Sequence, residues 1–293
     1  MRLRTTVLPA AAPIGALFVA MICFQTGAAL AKQLFPLVGA SGAATLRLAL
    51  AALMLLAVWR PWRVRPSPSE ARSILLYGLA MGWMNLFFYF SLRSIPLGIA
   101  VALEFTGPLA LAMMTSRRAI DFLWIVLAAL GLLALLPLGA HGQPLALPGV
   151  ACALAAGACW ALYILFGQKA GVVHGGQTAA LGTLVGAITI VPIGIAHAGI
   201  HLFLPAVLPL GCAVALLSSA LPYSLEMYAM TRIPTRTFGV LMSFDPALGA
   251  LSGLCFLGES LTWVQWTAIA CIIAASAGSA TTGRRDLQQA LPD

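Results

Sequence analysis

Apolar runs of about twenty residues, the length that crosses the hydrocarbon of a bilayer, recur along the chain with short polar breaks between them. Ten such runs fall at 13–34, 41–59, 71–92, 97–115, 121–138, 147–168, 177–197, 207–229, 236–256 and 262–280. The pattern predicts an all-α integral membrane protein of ten transmembrane helices. Arg2 and Arg4 ahead of the first run, with Ala29-Leu30-Ala31 near its end, imitate a secretory signal. The run is too long for a cleaved leader and has a counterpart in the sixth, so it counts as a span.

Composition agrees. The 293 residues are 61% hydrophobic and 8% charged, with a mean hydropathy of +0.98, against about 25% charged residues in a soluble domain. The net charge of +8 would suit nucleic acid if the basic residues formed a patch. They are scattered through short loops instead, so the bilayer is the expected partner and nucleic acid is not. With the N-terminus in the cytoplasm, thirteen of the sixteen Lys and Arg lie inside, Lys32 and Arg93 lie outside, and Arg47 lies within a span. The positive-inside rule therefore puts both termini in the cytoplasm. Trp59, Trp62, Trp83, Trp124 and Trp263 fall near span ends, as an aromatic belt would. The six cysteines all sit in apolar runs and none forms a CxxC pair, so they read as small buried hydrophobes.

The chain also repeats itself. At an offset of 138, Ile95-Pro96 lies over Ile233-Pro234, Leu103 over Leu241, Pro108 over Pro246 and Asp121 over Glu259. Two units of five spans follow, 1–145 and 146–293. Five is odd, so the second unit enters the membrane from the opposite side, giving an inverted repeat about an axis in the membrane plane. Glu104 lies eight residues beyond Pro96 and Asp245 nine beyond Arg236. At 1.5 Å per residue those are depths of about 12 and 13 Å from opposite faces, close to the midplane at about 15 Å.

Charge inside a span costs roughly 2.5–3.5 kcal/mol and marks function. Four such residues are present: Arg47, Glu104, Glu226 and Asp245. In span three, Gly78, Gly82, Asn85 and Tyr89 share one helix face. In span eight, Ser219, Tyr223 and Glu226 do the same, and Pro222 frees a carbonyl there. Trp160 and Tyr163 in span six would wall the cavity, and Pro108 and Pro246 are further expected helix breaks. Together these describe a small polar chamber with both signs of charge, suited to a zwitterion. A carboxylate would seek Arg47 or a helix N-terminus opened by proline, and an ammonium Glu104, Glu226 or Asp245. A low-dielectric site favours the protonated form of a carboxyl, so the same three acids are the candidates for coupling to protons.

Blander readings compete. Arg47 can simply pair with one of the acids, the prolines can merely kink helices, and the aromatic residues can be packing. His197 and His201 have metal-like spacing but no third ligand nearby. Gly182-x-x-x-Gly186 and Gly249-x-x-x-Gly253 permit close helix contact, within the chain or in a homodimer. No phosphate-binding glycine loop, nucleophile elbow or HExxH occurs. No cofactor, metal or catalytic set is therefore expected, and an enzyme or an ATP-driven pump is disfavoured.

Ile-Pro at the start of spans four and nine, with Gly258-Glu259 between spans nine and ten, resembles the EamA-type carriers of the drug/metabolite transporter superfamily. The run from Pro96 to Pro108, Leu221-Pro-Tyr-Ser-Leu-Glu226-Met, Pro234-Thr-Arg-Thr-Phe-Gly239, Thr45-Leu-Arg47-Leu-Ala and the segment Ala158–Leu165 are similar to the amino-acid exporters of that superfamily. The resemblance implies a secondary transporter, not an enzyme, in the bacterial inner membrane. It would export small amino acids such as threonine and homoserine by alternating access coupled to protons. Export of other small solutes, organic cations or nucleobases, is the alternative.

Overall fold

The computed structural model describes residues 8–114, 119–135, 146–230, 232 and 241–282, and every regular element among them is helical. In chain order the helices are α1 (Leu8–Lys32), α2 (Phe35–Trp59), α3 (Pro68–Ser91), α4 (Leu97–Met114) and α5 (Ala119–Leu135). They are followed by α6 (Leu147–His174), α7 (Gly176–Ala198), α8 (Val207–Ala215), α9 (Leu221–Met230), α10 (Asp245–Leu257) and α11 (Trp263–Thr282). Among the described residues six stretches are long and apolar enough to cross a membrane, including α8 and α9 taken together as Val207–Glu226, and shorter apolar helices begin at Leu97, Asp245 and Trp263. Leu53, Ile188 and Val264 are more than half exposed, as suits a surface turned to lipid.

Local chemistry sets several helix ends. Ser67 caps α3 in a capping box: Glu70 N donates to its hydroxyl, its own N–H donates to Glu70 Oε2, and Pro68 takes the first turn. Thr262 and Gln265 exchange the same two bonds at the start of α11. Within Phe35–Trp59 the helix is interrupted at Gly39, whose φ of 68° suits only glycine.

The helices pack in matched pairs. α3 lies on α6 as α9 lies on α1, α4 on α6 as α10 on α1, and α3 on α7 as α8 on α2. α2 packs on α7, α4 on α10 and α5 on α11. Both glycine pairs serve these internal contacts. A Cβ at Gly182 would overlap the Tyr77 ring and one at Gly186 would meet Gly78 and Gly82 of α3; at Gly249 and Gly253 it would meet Val101, Gln25, Leu97 and Glu259. The glycines therefore face neighbours in the same chain, and neither pair is free to meet a second copy.

Two expectations need correction. α4 runs unbroken through Pro108. Proline removes the donor for the carbonyl four residues back, here Glu104, and that carbonyl faces α6, where a Cβ on Gly157 would lie 2.5 Å from it. Close approach of a glycine backbone accommodates the helix without a break. In span eight, where Pro222 was an expected helix break, a π turn over Leu216–Ala220 joins α8 to α9 just before the proline. Asp245 is not in mid-helix; it is the first residue of α10, after a turn at 243–244, with Pro246 in the first helical turn. The stretch 233–240, with Pro234, Arg236 and Gly239, and the turn arginines Arg117 and Arg118 lie outside the described residues.

Candidate functional site

Arg47 is 4% exposed near the centre of α2. Its Nε donates to Ser219 Oγ at 2.8 Å and its Nη2 to the Ser218 carbonyl at 2.5 Å. Ser218 is the residue whose carbonyl Pro222 leaves without a helical donor, so the π turn and the arginine answer each other. The guanidinium also lies 5.8 Å from the Phe24 ring centre and 5.5 Å from that of Tyr89, within cation–π range. Lys32 and Glu259 form an ion pair, whereas Arg47 forms none with Glu104, Glu226 or Asp245 among the described residues, so the structural ion pair considered from the sequence is not formed.

Beside Arg47 lies a cavity of about 80 Å³. Arg47, Asn85, Glu104, Trp160, Tyr163, Tyr223, Glu226 and Asp245 all line it, so residues from α2, α3, α4, α6, α9 and α10 converge. Tyr89 is the exception among the sequence candidates: it lies beneath the arginine rather than in the wall, with its ring 5.9 Å from Phe35. Glu104 and Glu226 are each 8% exposed and Asp245 6%, and Asp245 is within electrostatic reach of both glutamates.

The walls are fixed by aromatic packing. Trp160 meets Phe105 edge to face at 5.6 Å, and Tyr223 meets Phe24 in the same way at 5.3 Å. Tyr163 stacks on Tyr77 at 4.7 Å, with the two hydroxyls 3.3 Å apart. Asn85 donates to the Met81 carbonyl at 2.8 Å. Trp59, at the end of α2, packs over Gly176 and donates to Ser224 at 3.4 Å.

Buried polar groups are almost always hydrogen-bonded, so exceptions are informative. Among the described residues five buried side-chain atoms have no partner: Gln25 Oε1, Tyr89 Oη, Tyr223 Oη, Asp245 Oδ1 and Trp124 Nε1. All but the last belong to the chamber or to the ring beneath Arg47. Gln25, two turns before Lys32 in span one, is readable from the sequence as a polar position in an apolar run; Phe24 carries no such signal.

The region 147–281 matches the EamA-like transporter family. Over nearly its whole length the chain is 58% identical to the threonine/homoserine exporter RhtA of Salmonella typhimurium strain LT2, covering 97% of this chain and 96% of that protein. It is 57% identical to RhtA of Escherichia coli strain K12, covering 95% of each. This chain belongs to the EamA-like transporter family. It is a multi-pass membrane transporter and not an enzyme. A crystal structure 18% identical in sequence shares the fold, with a TM-score of 0.65 over 93% of this chain and 98% of the other.

Proposed function

We propose that the protein is a secondary carrier that exports threonine and homoserine across the bacterial inner membrane, and that the chamber around Arg47 is its binding site. The observation that carries the site assignment is the set of unpartnered polar atoms on Gln25, Tyr89, Tyr223 and Asp245 beside a guanidinium free of any acid. A zwitterion with a hydroxyl group supplies what those atoms lack. Its carboxylate meets the remaining donors of Arg47, its ammonium meets Glu104, Glu226 or Asp245, and its hydroxyl bonds among Asn85, Tyr223 and Gln25. The names of relatives 57–58% identical over almost the whole chain support the same substrates.

The matched packing of α1–α5 against α6–α11 supports two inverted five-span units, 1–145 and 146–293, with both termini cytoplasmic. Lys32, Leu97 and Glu259 meet at one end of the bundle, and that topology puts all three outside, which is consistent with it. α10 starts inside the bundle at Asp245 after a break, the kind of discontinuous helix that carriers place at a midplane site. Alternating access then rocks helices about the chamber. Glu104, Glu226 and Asp245 give a proton and the substrate ammonium the same groups to occupy in turn, the basis for proton exchange. A buried arginine in the wall speaks against organic cations as the main cargo.

The test is intracellular threonine and homoserine after a threonine- or homoserine-containing dipeptide challenge. Cells carrying the gene should hold less of both than cells without it. Equal accumulation in the two would contradict the substrate assignment.

A further inference from the structure

We infer that Lys32 and Glu259 form the outer closure of the chamber, and that Glu259 is the positioning residue that sets the spacing of the three helices carrying Gln25, Glu104 and Asp245. The inference rests on the topology proposed above, which puts this end outside.

Glu259 holds three helix ends at once. Its Oε1 accepts from Lys32 Nζ, the last residue of α1, at 2.5 Å. Its Oε2 accepts from the N–H of Leu97, the first residue of α4, at 2.7 Å. Its own N–H donates to the Gly253 carbonyl in the last turns of α10 at 3.1 Å. Gly258, with φ of 65°, turns the chain so that Glu259 folds back over that helix end. A carboxylate at the opening turn of α4 also suits the helix dipole.

Each of these helices carries a chamber residue further in. Gln25 is seven residues before Lys32, Glu104 seven after Leu97, and Asp245 eight before Gly253, distances of about 10–12 Å along a helix. Between the two levels the backbones touch. A Cβ on Gly98 would collide with Ala250, and one on Gly249 would meet Val101 and Gln25 Oε1. With the three ends clasped, α1, α4 and α10 form a tight wall from Glu259 down to the chamber. A solute leaving outward needs that wall to part, and parting it separates Lys32 and Leu97 from Glu259, which stays fixed to the end of α10. The side chains of Lys32 and Glu259 are 25% and 15% exposed, so water stands ready to take over their bonds when the ends separate, and such a pair is weak enough to open in every cycle.

The test uses the full-length protein with its six native cysteines replaced. A single reporter, Ala28→Cys in the chamber wall, is titrated in intact cells with a membrane-impermeant thiol reagent. Glu259→Gln should raise its labelling rate severalfold. In a second variant, Lys32→Cys with Glu259→Cys is bridged by a short impermeant bifunctional thiosulfonate. Bridging should cut efflux of labelled threonine at least tenfold, and reductant should restore it. Equal reporter labelling with and without Glu259, or efflux that continues at the unbridged rate, overturns the closure. A pair bridged only by a membrane-permeant reagent lies on the inner face and also overturns it. A protein that moves no threonine yet shows the labelling difference keeps the closure and removes the substrate reading instead.

Discussion

Arg47 and Ser218 meet across the bundle: a guanidinium nitrogen of α2 lies 2.5 Å from a backbone oxygen of the π turn between α8 and α9. The contact joins residues 171 positions apart and exists because Pro222 has no N–H to offer that oxygen. It fixes Arg47, the cation among the described chamber residues, without using an acid, so Glu104, Glu226 and Asp245 stay available.

Returning an N–H at position 222 should loosen that arrangement. Pro222→Ala gives the Ser218 carbonyl a helical donor that competes with Arg47. Export should fall roughly tenfold, a loss of about 1.4 kcal/mol in the transport step. Unfolding in detergent should shift little or upward, because the helix gains a backbone bond. Unchanged export with a retained π turn would show that the proline is incidental.

Arg47 should resist even a conservative change. Arg47→Lys keeps the charge but loses the planar fork that reaches Ser218, Ser219 and a substrate carboxylate together, and export should drop roughly tenfold or more. Arg47→Leu leaves the buried Ser218 carbonyl without its donor, at a cost of about 1–3 kcal/mol. Thermal unfolding in detergent measures the second effect and uptake into inverted vesicles the first.

The acids are expected to act without supporting the fold. Glu104→Gln, Glu226→Gln and Asp245→Asn should each insert at normal levels, since none is held by an ion pair among the described residues. Export should fall by roughly ten- to a hundredfold where the lost contact was charge-assisted, about 1.5–3 kcal/mol. Membrane-fraction blots beside efflux rates separate the two readings, and a variant absent from the membrane would mean that the carboxyl is structural.

Close packing of α4 on α6 depends on glycine. Gly107→Ala would drive a methyl into the Gly157 carbonyl, and overpacking of this kind costs about 1–3 kcal/mol. Gly15→Ala, with nothing within 4 Å of the new methyl, should be neutral or stabilising by up to about 1 kcal/mol. Melting temperatures of the purified variants give the comparison.

Much of this was legible in residue order because membrane sequences are constrained one helix at a time. Twenty-residue apolar runs and the scarcity of charge inside spans are local signals, and they marked out apolar helices and singled out Arg47, Glu104, Glu226 and Asp245. Pro222 was readable for the same reason: a missing N–H always strands the carbonyl four residues back. What sequence order did not carry was the partner of each group. Nothing near Arg47 says that Ser218 will receive it, and nothing near Lys32 points to Glu259, 227 residues away. Pro108 and Pro246 look alike in the sequence, yet one lies within a continuous helix because Gly157 faces its stranded carbonyl, and the other opens α10 after a turn. Gln25 was visible as a polar residue in an apolar helix, but its place beside the acids depends on how α1 packs on α10.

The most direct measurement is efflux of labelled threonine from proteoliposomes of the purified protein, with and without an imposed pH gradient, for the native chain and for Glu104→Gln and Asp245→Asn. The account predicts efflux that the gradient accelerates in the native protein and that both substitutions remove. Gradient-responsive efflux of equal rate in all three would show that the acids around Arg47 are not where the substrate and the proton meet.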